Sequence, residues 1–306
     1  MRPSLQSFTE PLIPLRPCLP EVRSKTPRPV YDGHGPRNKK ALSMSGQALS
    51  SNIRDTDITN RSEKGFDVQP DKRYLIFFTP RSGSSWMTDV VTQTDVLGSP
   101  GEYFNPNFVA SIAKTIRSNE PQDYVRRLMA RKKTKNGVFG AEITFFQYRT
   151  VDGVDLFEAI SPKCVFVLTR KNIIAQGISL YRAVTSGVFH DVKGRETPEP
   201  KGVPYDSIAI QNWINHIRDQ EEGTDQLLRA RGVSPIHLTY EALAGQAQKA
   251  IDAISVPVLG HSTEAKSVEE NHRRLANKDG IDMEGRFREE NGRFIEALEQ
   301  RGRITR

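Results

Sequence analysis

Four short apolar runs, separated by stretches of helical periodicity, constrain this chain more than any other feature. Tyr74-Leu-Ile-Phe-Phe-Thr79 comes first, rich in aromatics and bounded by turn residues; Val138–Ile143, Cys164–Thr169 and residues 236–240 follow. Apolar runs of this length without polar alternation are the pattern of strands buried on both faces, as in a parallel sheet. Between them, Trp86, Val90 and Val91 recur at helical spacing. Trp213, Ile217, Thr224, Leu227 and Leu228 outline a longer amphipathic helix that ends near Gly232. Strand alternating with helix predicts an α/β fold: a single P-loop-like domain with a central parallel β-sheet flanked by helices.

The ends of the chain have a different texture. Eight of the 19 prolines fall within the first 36 residues, and proline fixes φ and removes a backbone donor. Polar residues then dominate to Arg73 without periodicity. Composition therefore predicts a disordered, basic, Pro-rich extension over residues 1–70 and one folded domain over residues 71–306. The net charge of +7 is concentrated there too, with 13 Lys/Arg against 8 Asp/Glu in residues 1–73, so the remaining 233 carry only +2. A nearly neutral folded part and a tail without interleaved aromatics argue against a nucleic-acid partner. From Ser262 the chain is charged and helix-favouring, with Gly280, Gly285 and Gly292 as expected interruptions. No run approaches the roughly 20 apolar residues of a membrane span. Prolines break every apolar stretch near the start, which is unlike a secretory signal. Only 2 cysteines occur, so a disulfide scaffold is excluded and a cytoplasmic, reducing location is expected.

The chemistry concentrates at Thr79-Pro80-Arg81-Ser82-Gly83-Ser84-Ser85-Trp86, between the first strand and the helix after it. Unsatisfied backbone N–H groups at a helix start attract anions. Gly83 lets the backbone approach an oxyanion, the hydroxyls of Ser82, Ser84 and Ser85 add donors, and Arg81 supplies a forked cation suited to phosphate or sulfate. An ordinary serine-capped turn is the competing reading of the same residues. The segment is not G-x-x-x-x-G-K-[ST], because its lysine is absent, and no later strand ends in an acidic residue placed for magnesium. No G-x-G-x-x-G follows a strand, and there is no H-E-x-x-H or Cys/His cluster, so no metal ligand set is evident.

Residues 79–86 resemble the 5′-phosphosulfate loop of sulfotransferases, which use 3′-phosphoadenosine 5′-phosphosulfate (PAPS). Three further segments, in order, narrow the resemblance to the bacterial carbohydrate branch that includes trehalose and lipopolysaccharide sulfotransferases. Gly101-Glu-Tyr-Phe104 is similar to that branch's acidic E-F-F element, and Arg170-Lys-Asn-Ile-Ile-Ala-Gln-Gly-Ile-Ser-Leu-Tyr-Arg-Ala183 to its second nucleotide motif. Thr239-Tyr-Glu-Ala-Leu243 resembles the tyrosine–glutamate segment after the last strand.

That resemblance implies a role for each matching position. Arg81, Ser82, Gly83, Ser84, Ser85 and Trp86 would form the donor loop. Ser179 with either Arg170 or Lys171 would hold the 3′-phosphate, and Arg274, next to Arg273, would come back onto it. Glu102 would be the general base, with Tyr103 and His190 on the acceptor side. At position 142 the branch would be expected to carry lysine, whereas this chain has Glu142. The implied reaction is sulfuryl transfer from PAPS to a hydroxyl of a carbohydrate or glycolipid, without a metal, by a protein that forms a homodimer. A nucleotide kinase using the same sheet and loop is the alternative enzyme. From another class come a non-catalytic nucleotide-binding protein and a nucleic-acid-binding protein that relies on the basic tail.

Overall fold

The computed structural model describes residues 48–54, 64–189, 202–265 and 278–300. In chain order the elements are α1 (Leu49–Ile53), β1 (Lys72–Phe78), α2 (Ser84–Thr92), α3 (Pro106–Ile116), α4 (Pro121–Lys132) and β2 (Val138–Ile143). Next come α5 (Phe145–Arg149), α6 (Leu156–Ile160), β3 (Cys164–Thr169), α7 (Ile173–Ser186) and α8 (Ser207–Ala230). The last are β4 (Ile236–Thr239), α9 (Tyr240–Leu243), α10 (Ala247–Leu259), α11 (Lys278–Glu290) and α12 (Gly292–Gln300).

The strands form one parallel sheet in the order β2-β1-β3-β4. Each of the four apolar runs became a strand, with ends shifted by no more than two residues. Side chains of β1 alternate strictly between two cores. Tyr74, Ile76 and Phe78 pack with α2 and α10 on one face. Leu75 and Phe77 pack with α1, α3, α4 and α6 on the other. Ile76 and its neighbours Leu75 and Phe77 are all 0% exposed, and full burial of one such side chain contributes about 1.5–3 kcal/mol. A third core joins α7, α8, α11 and α12. It needs a close crossing: a Cβ at Gly177 would lie 2.4 Å from Ile214 Cγ1.

Two expectations change. Leu49 and Ile53 lie within the stretch read as an unstructured extension, yet α1 buries both, at 3% and 0% exposure, against the core of α3 and α4. Leu49 N–H also donates to the Thr150 carbonyl at 2.8 Å. In the C-terminal stretch, α11 runs unbroken through Gly280 and Gly285. Phe287, 0% exposed, anchors that helix in the third core, and tertiary burial outweighs the roughly 1 kcal/mol of helix preference lost at each glycine. Among the described residues, no helix is long and apolar enough to cross a membrane.

The strand order places the functional end. The chain leaves β1 to form β2 on one side, then crosses to form β3 on the other. In open parallel sheets, ligands bind beyond the carboxyl ends of the strands where the connections diverge in this way. Residues 79–83 leave β1 at that point.

Candidate active site

The turn after β1 gathers free backbone N–H groups, hydroxyls and a guanidinium in one place. Ser82 N–H donates to the Thr79 carbonyl at 3.1 Å, and Arg81 and Gly83 take positive φ values of 66° and 86°. Gly83 caps α2, whose first helical bond runs from Met87 N–H to the Gly83 carbonyl. The N–H groups of the first turn therefore stay unused by the helix. Glycine is required sterically as well: a Cβ here would sit 2.4 Å from Cδ2 of the Tyr240 ring, which lies against the turn. The Ser82 side chain is 0% exposed and its Oγ has no hydrogen-bond partner. A buried hydroxyl left in that state costs about 1–3 kcal/mol, so its position suits a bound acceptor of hydrogen bonds.

Two cations converge on this turn. Arg81 Nε donates to Ser179 Oγ at 3.0 Å, and its Nη1 donates to the Phe189 carbonyl. No ion pair to Arg81 is present among the described residues. Burial, and secondarily the Arg170 charge, lower the Arg81 guanidinium to about 10, so it remains a cation near neutral pH. Arg170 stacks over Tyr240 with its Cζ 5.2 Å from the ring centre, a cation–π arrangement. Its buried Nε lies 4.0 Å from Glu241 Oε1 and has no hydrogen-bond partner. Glu241 accepts from the backbone N–H groups of Lys171 and Asn172 at 2.9 and 3.2 Å, which ties the β3–α7 turn to the start of α9. Gln176, 0% exposed, closes the arrangement from α7 by donating to Thr79 Oγ1 at 2.9 Å and to the Pro80 carbonyl at 2.8 Å.

The opposite side of the turn carries carboxylates. Residue 101 bridges to Ala141 in parallel, and Glu142 N–H donates to the Gly101 carbonyl at 3.1 Å, which holds Glu102 beside the end of β2. Thr88 Oγ1 donates to the Pro100 carbonyl at 3.0 Å and so links this segment to α2. Glu102 Oε2 accepts from Asn105 Nδ2 at 2.8 Å and Gln147 Nε2 at 2.6 Å. Glu142 is 4% exposed, and its Oε2 lacks a partner. Burial pushes its carboxyl well above the usual carboxylate range and the Glu102 charge adds to that, while the Ser84 and Thr88 hydroxyls act in the opposite direction. Among the described residues, no group of three His, Cys, Asp or Glu side chains could hold a metal ion.

Residues 73–290, which span both the cation side and the carboxylate side, match the Stf0 sulphotransferase family. The chain belongs to that family. Two of its relatives are named trehalose 2-sulfotransferase. The protein of Mycobacterium tuberculosis is 25% identical over 214 residues, covering 56% of this chain and 78% of the relative. That of Mycolicibacterium smegmatis is 25% identical over 266 residues, covering 69% of this chain and 97% of the relative.

Within this Stf0 sulphotransferase, the expected site residues fall into four groups. Arg81, Ser82, Gly83, Ser84, Arg170 and Ser179 come together around the β1–α2 turn, and Ser85 follows in the first turn of α2. Glu102 is held by β2 and α5, and Glu142 links it to Ser84 at the start of α2. Three others are placed differently. The Lys171 side chain is exposed, although its backbone joins the Glu241 clamp. Trp86 packs against the core shared by α2 and α10. Tyr103, expected on the acceptor side, is a core residue at 6% exposure. Its ring stacks on Phe139, its hydroxyl donates to the Ser99 carbonyl, and burial pushes the phenol up to about 12. His190 and Arg274 lie outside the described residues. Gln176, Tyr240, Asn105 and Gln147 were not expected as site residues. The first two sit inside segments that carried the resemblance, while the partners of Glu102 left no sequence signal.

Proposed function

We propose that this sulfotransferase moves a sulfuryl group from PAPS to a hydroxyl of a carbohydrate or glycolipid. The observation that carries the reading is Arg81: a mostly buried cation, without a described ion pair, next to a second cation and hydrogen-bonded to Ser179. Glu241 reaches only Arg170, at 4.0 Å and without a hydrogen bond to its Nε, so an anion bound between the two cations of this low-dielectric site is stabilising. The partnerless Ser82 hydroxyl and the glycine that brings the backbone close fit the same kind of ligand.

In this reading, Arg81, the N–H groups of the α2 start and the hydroxyls of Ser82, Ser84 and Ser85 hold the 5′-phosphosulfate. Arg170, rather than the exposed Lys171, joins Ser179 at the 3′-phosphate. When bound, the donor supplies a sulfuryl group activated by a phosphate leaving group. Arg81 and the loop amides neutralise charge that builds on that phosphate, the form of electrostatic stabilisation that contributes most where water is excluded. Glu102 takes the acceptor proton. Asn105 and Gln147 engage its Oε2, which leaves Oε1 to face the hydroxyl. The relatives' names make trehalose the first acceptor to try. A homodimer, implied by the resemblance, belongs to the same proposal, and sedimentation at assay concentration measures it.

The test is incubation with PAPS labelled in the sulfuryl group and a carbohydrate panel headed by trehalose. Labelled product should depend on both substrates, and Glu102→Gln should lower kcat by about 10²–10⁴-fold with affinity for 3′,5′-adenosine bisphosphate retained. Absence of transfer, together with absence of bisphosphate binding, would sink the reading.

A further inference from the structure

Glu142 is a buried acid that the mechanism above does not use. Ala141 points into the α3–α4 core, so strand alternation turns Glu142 to the opposite face, toward α2. There it meets the hydroxyls of Ser84 and Thr88. Ser84 is the first residue of the helix that begins the loop's anion site. Across the edge of β2, residue 101 forms an isolated bridge to Ala141 and accepts from Glu142 N–H, which brings Glu102 close enough to Glu142 for their charges to couple. The remaining titratable groups whose fields couple to Glu142 are the phenols of Tyr74, from β1, and Tyr103. Both are buried, and burial keeps both neutral. No cation among the described residues compensates Glu142.

Like charges on neighbouring carboxylates disfavour ionising both, and a buried carboxylate without a partner is more unfavourable still. One proton between the two acids removes both terms. We infer that Glu102 and Glu142 work as a one-proton carboxyl pair, in which Glu142 is a positioning residue that stays neutral and leaves Glu102 as the anion of the pair. This rests on the function proposed above. Glu102 accepts from the amide donors of Asn105 and Gln147. Glu142, with an oxygen that nothing satisfies, is the member stabilised as the acid.

The pair gives the site a pH response of known sign. When Glu142 loses its proton, a second negative charge arises next to Ser84 and opposes an anionic donor. Donor affinity therefore falls as pH rises through the ionisation of Glu142. Glu142→Gln, of the same shape and neutral at every pH, lacks that fall. Stability moves in parallel. An acid whose folded value is raised contributes stability fully present below its unfolded value, about 4.3, and lost as pH rises through the folded one.

The experiment measures 3′,5′-adenosine bisphosphate affinity at about pH 6 and about pH 9 for the unaltered protein and Glu142→Gln. Thermal unfolding is followed over the same range for both, for Glu102→Gln and for the double variant. The nucleotide's own phosphate titration is common to all and cancels. The fall in affinity across the range should be about tenfold steeper in the unaltered protein than in Glu142→Gln. The Tm gain of Glu142→Gln should grow with pH and shrink when Glu102 is already glutamine. Parallel affinity profiles, or a Tm gain that Glu102→Gln does not change, overturn the pair. If the unaltered protein binds no nucleotide at any pH, the functional reading fails, and the Tm cycle still decides whether the two carboxyls share a proton.

Discussion

Replacing Gly83 with alanine puts a methyl group where the Tyr240 ring already lies, and the size of the effect can be worked from its parts. The backbone φ of 86° is left-handed, a conformation that costs an L-residue about 1–2 kcal/mol. The new Cβ would approach Tyr240 Cδ2 to 2.4 Å, and forcing extra atoms into a packed contact costs about 1–3 kcal/mol. Together these predict a loss of about 2–5 kcal/mol in denaturant unfolding. A double-variant cycle separates the two parts. In a Tyr240→Ala background the ring is gone, so Gly83→Ala should cost only the backbone part, and the coupling energy should be about 1–3 kcal/mol. The ring cannot move aside without shifting Arg170, which stacks on it at 5.2 Å, so Gly83→Ala alone should also weaken nucleotide binding. Equal costs of Gly83→Ala in both backgrounds would refute the argument that the ring and the turn are locked together.

Two further predictions concern the body of the fold. Ile53, 0% exposed, should lose about 2–5 kcal/mol of stability when changed to alanine; a variant as stable as the parent in urea would remove α1 from the cooperative unit. His216 lies between the rings of Phe146 and Trp213, at 5.0 and 5.3 Å, and burial lowers its imidazole from 6.5 to about 4. Its neutral form therefore contributes stability that is present above the unfolded value and lost as pH falls toward the folded one. The Tm should drop between about pH 6.5 and about pH 4, and less so in His216→Phe; identical slopes would contradict the burial argument.

Much of this fold is legible in the sequence because its strands are buried on both faces. Such strands leave continuous apolar runs, and Val138–Ile143 and Cys164–Thr169 have the same ends in the structure as in the sequence. The turn at 79–86 is legible for a different reason: the arginine, serines and glycine that shape it are adjacent in the chain. Features made by distant contacts are not. Leu49 and Ile53 are isolated apolar residues in a polar stretch, and only α3, α4 and the carbonyl at Thr150 make them core. Tyr103 follows Glu102 directly, yet the edge bridge at Gly101 and the stacking on Phe139 send the two side chains to different places. Glu102 finds one of its amide partners 45 residues away, at Gln147. Glu142 stands out in the sequence only as an unexpected residue type, and its significance comes from its burial near Glu102.

The central claim is that the turn after β1 is an anion cradle whose charge comes from Arg81. Calorimetric binding of 3′,5′-adenosine bisphosphate to Arg81→Ala tests it most directly, with thermal unfolding as the check that the fold survives. Charge-assisted hydrogen bonds contribute about 1.5–3 kcal/mol, so the affinity should fall at least about tenfold. A folded Arg81→Ala protein that binds the nucleotide as tightly as its parent would contradict the account.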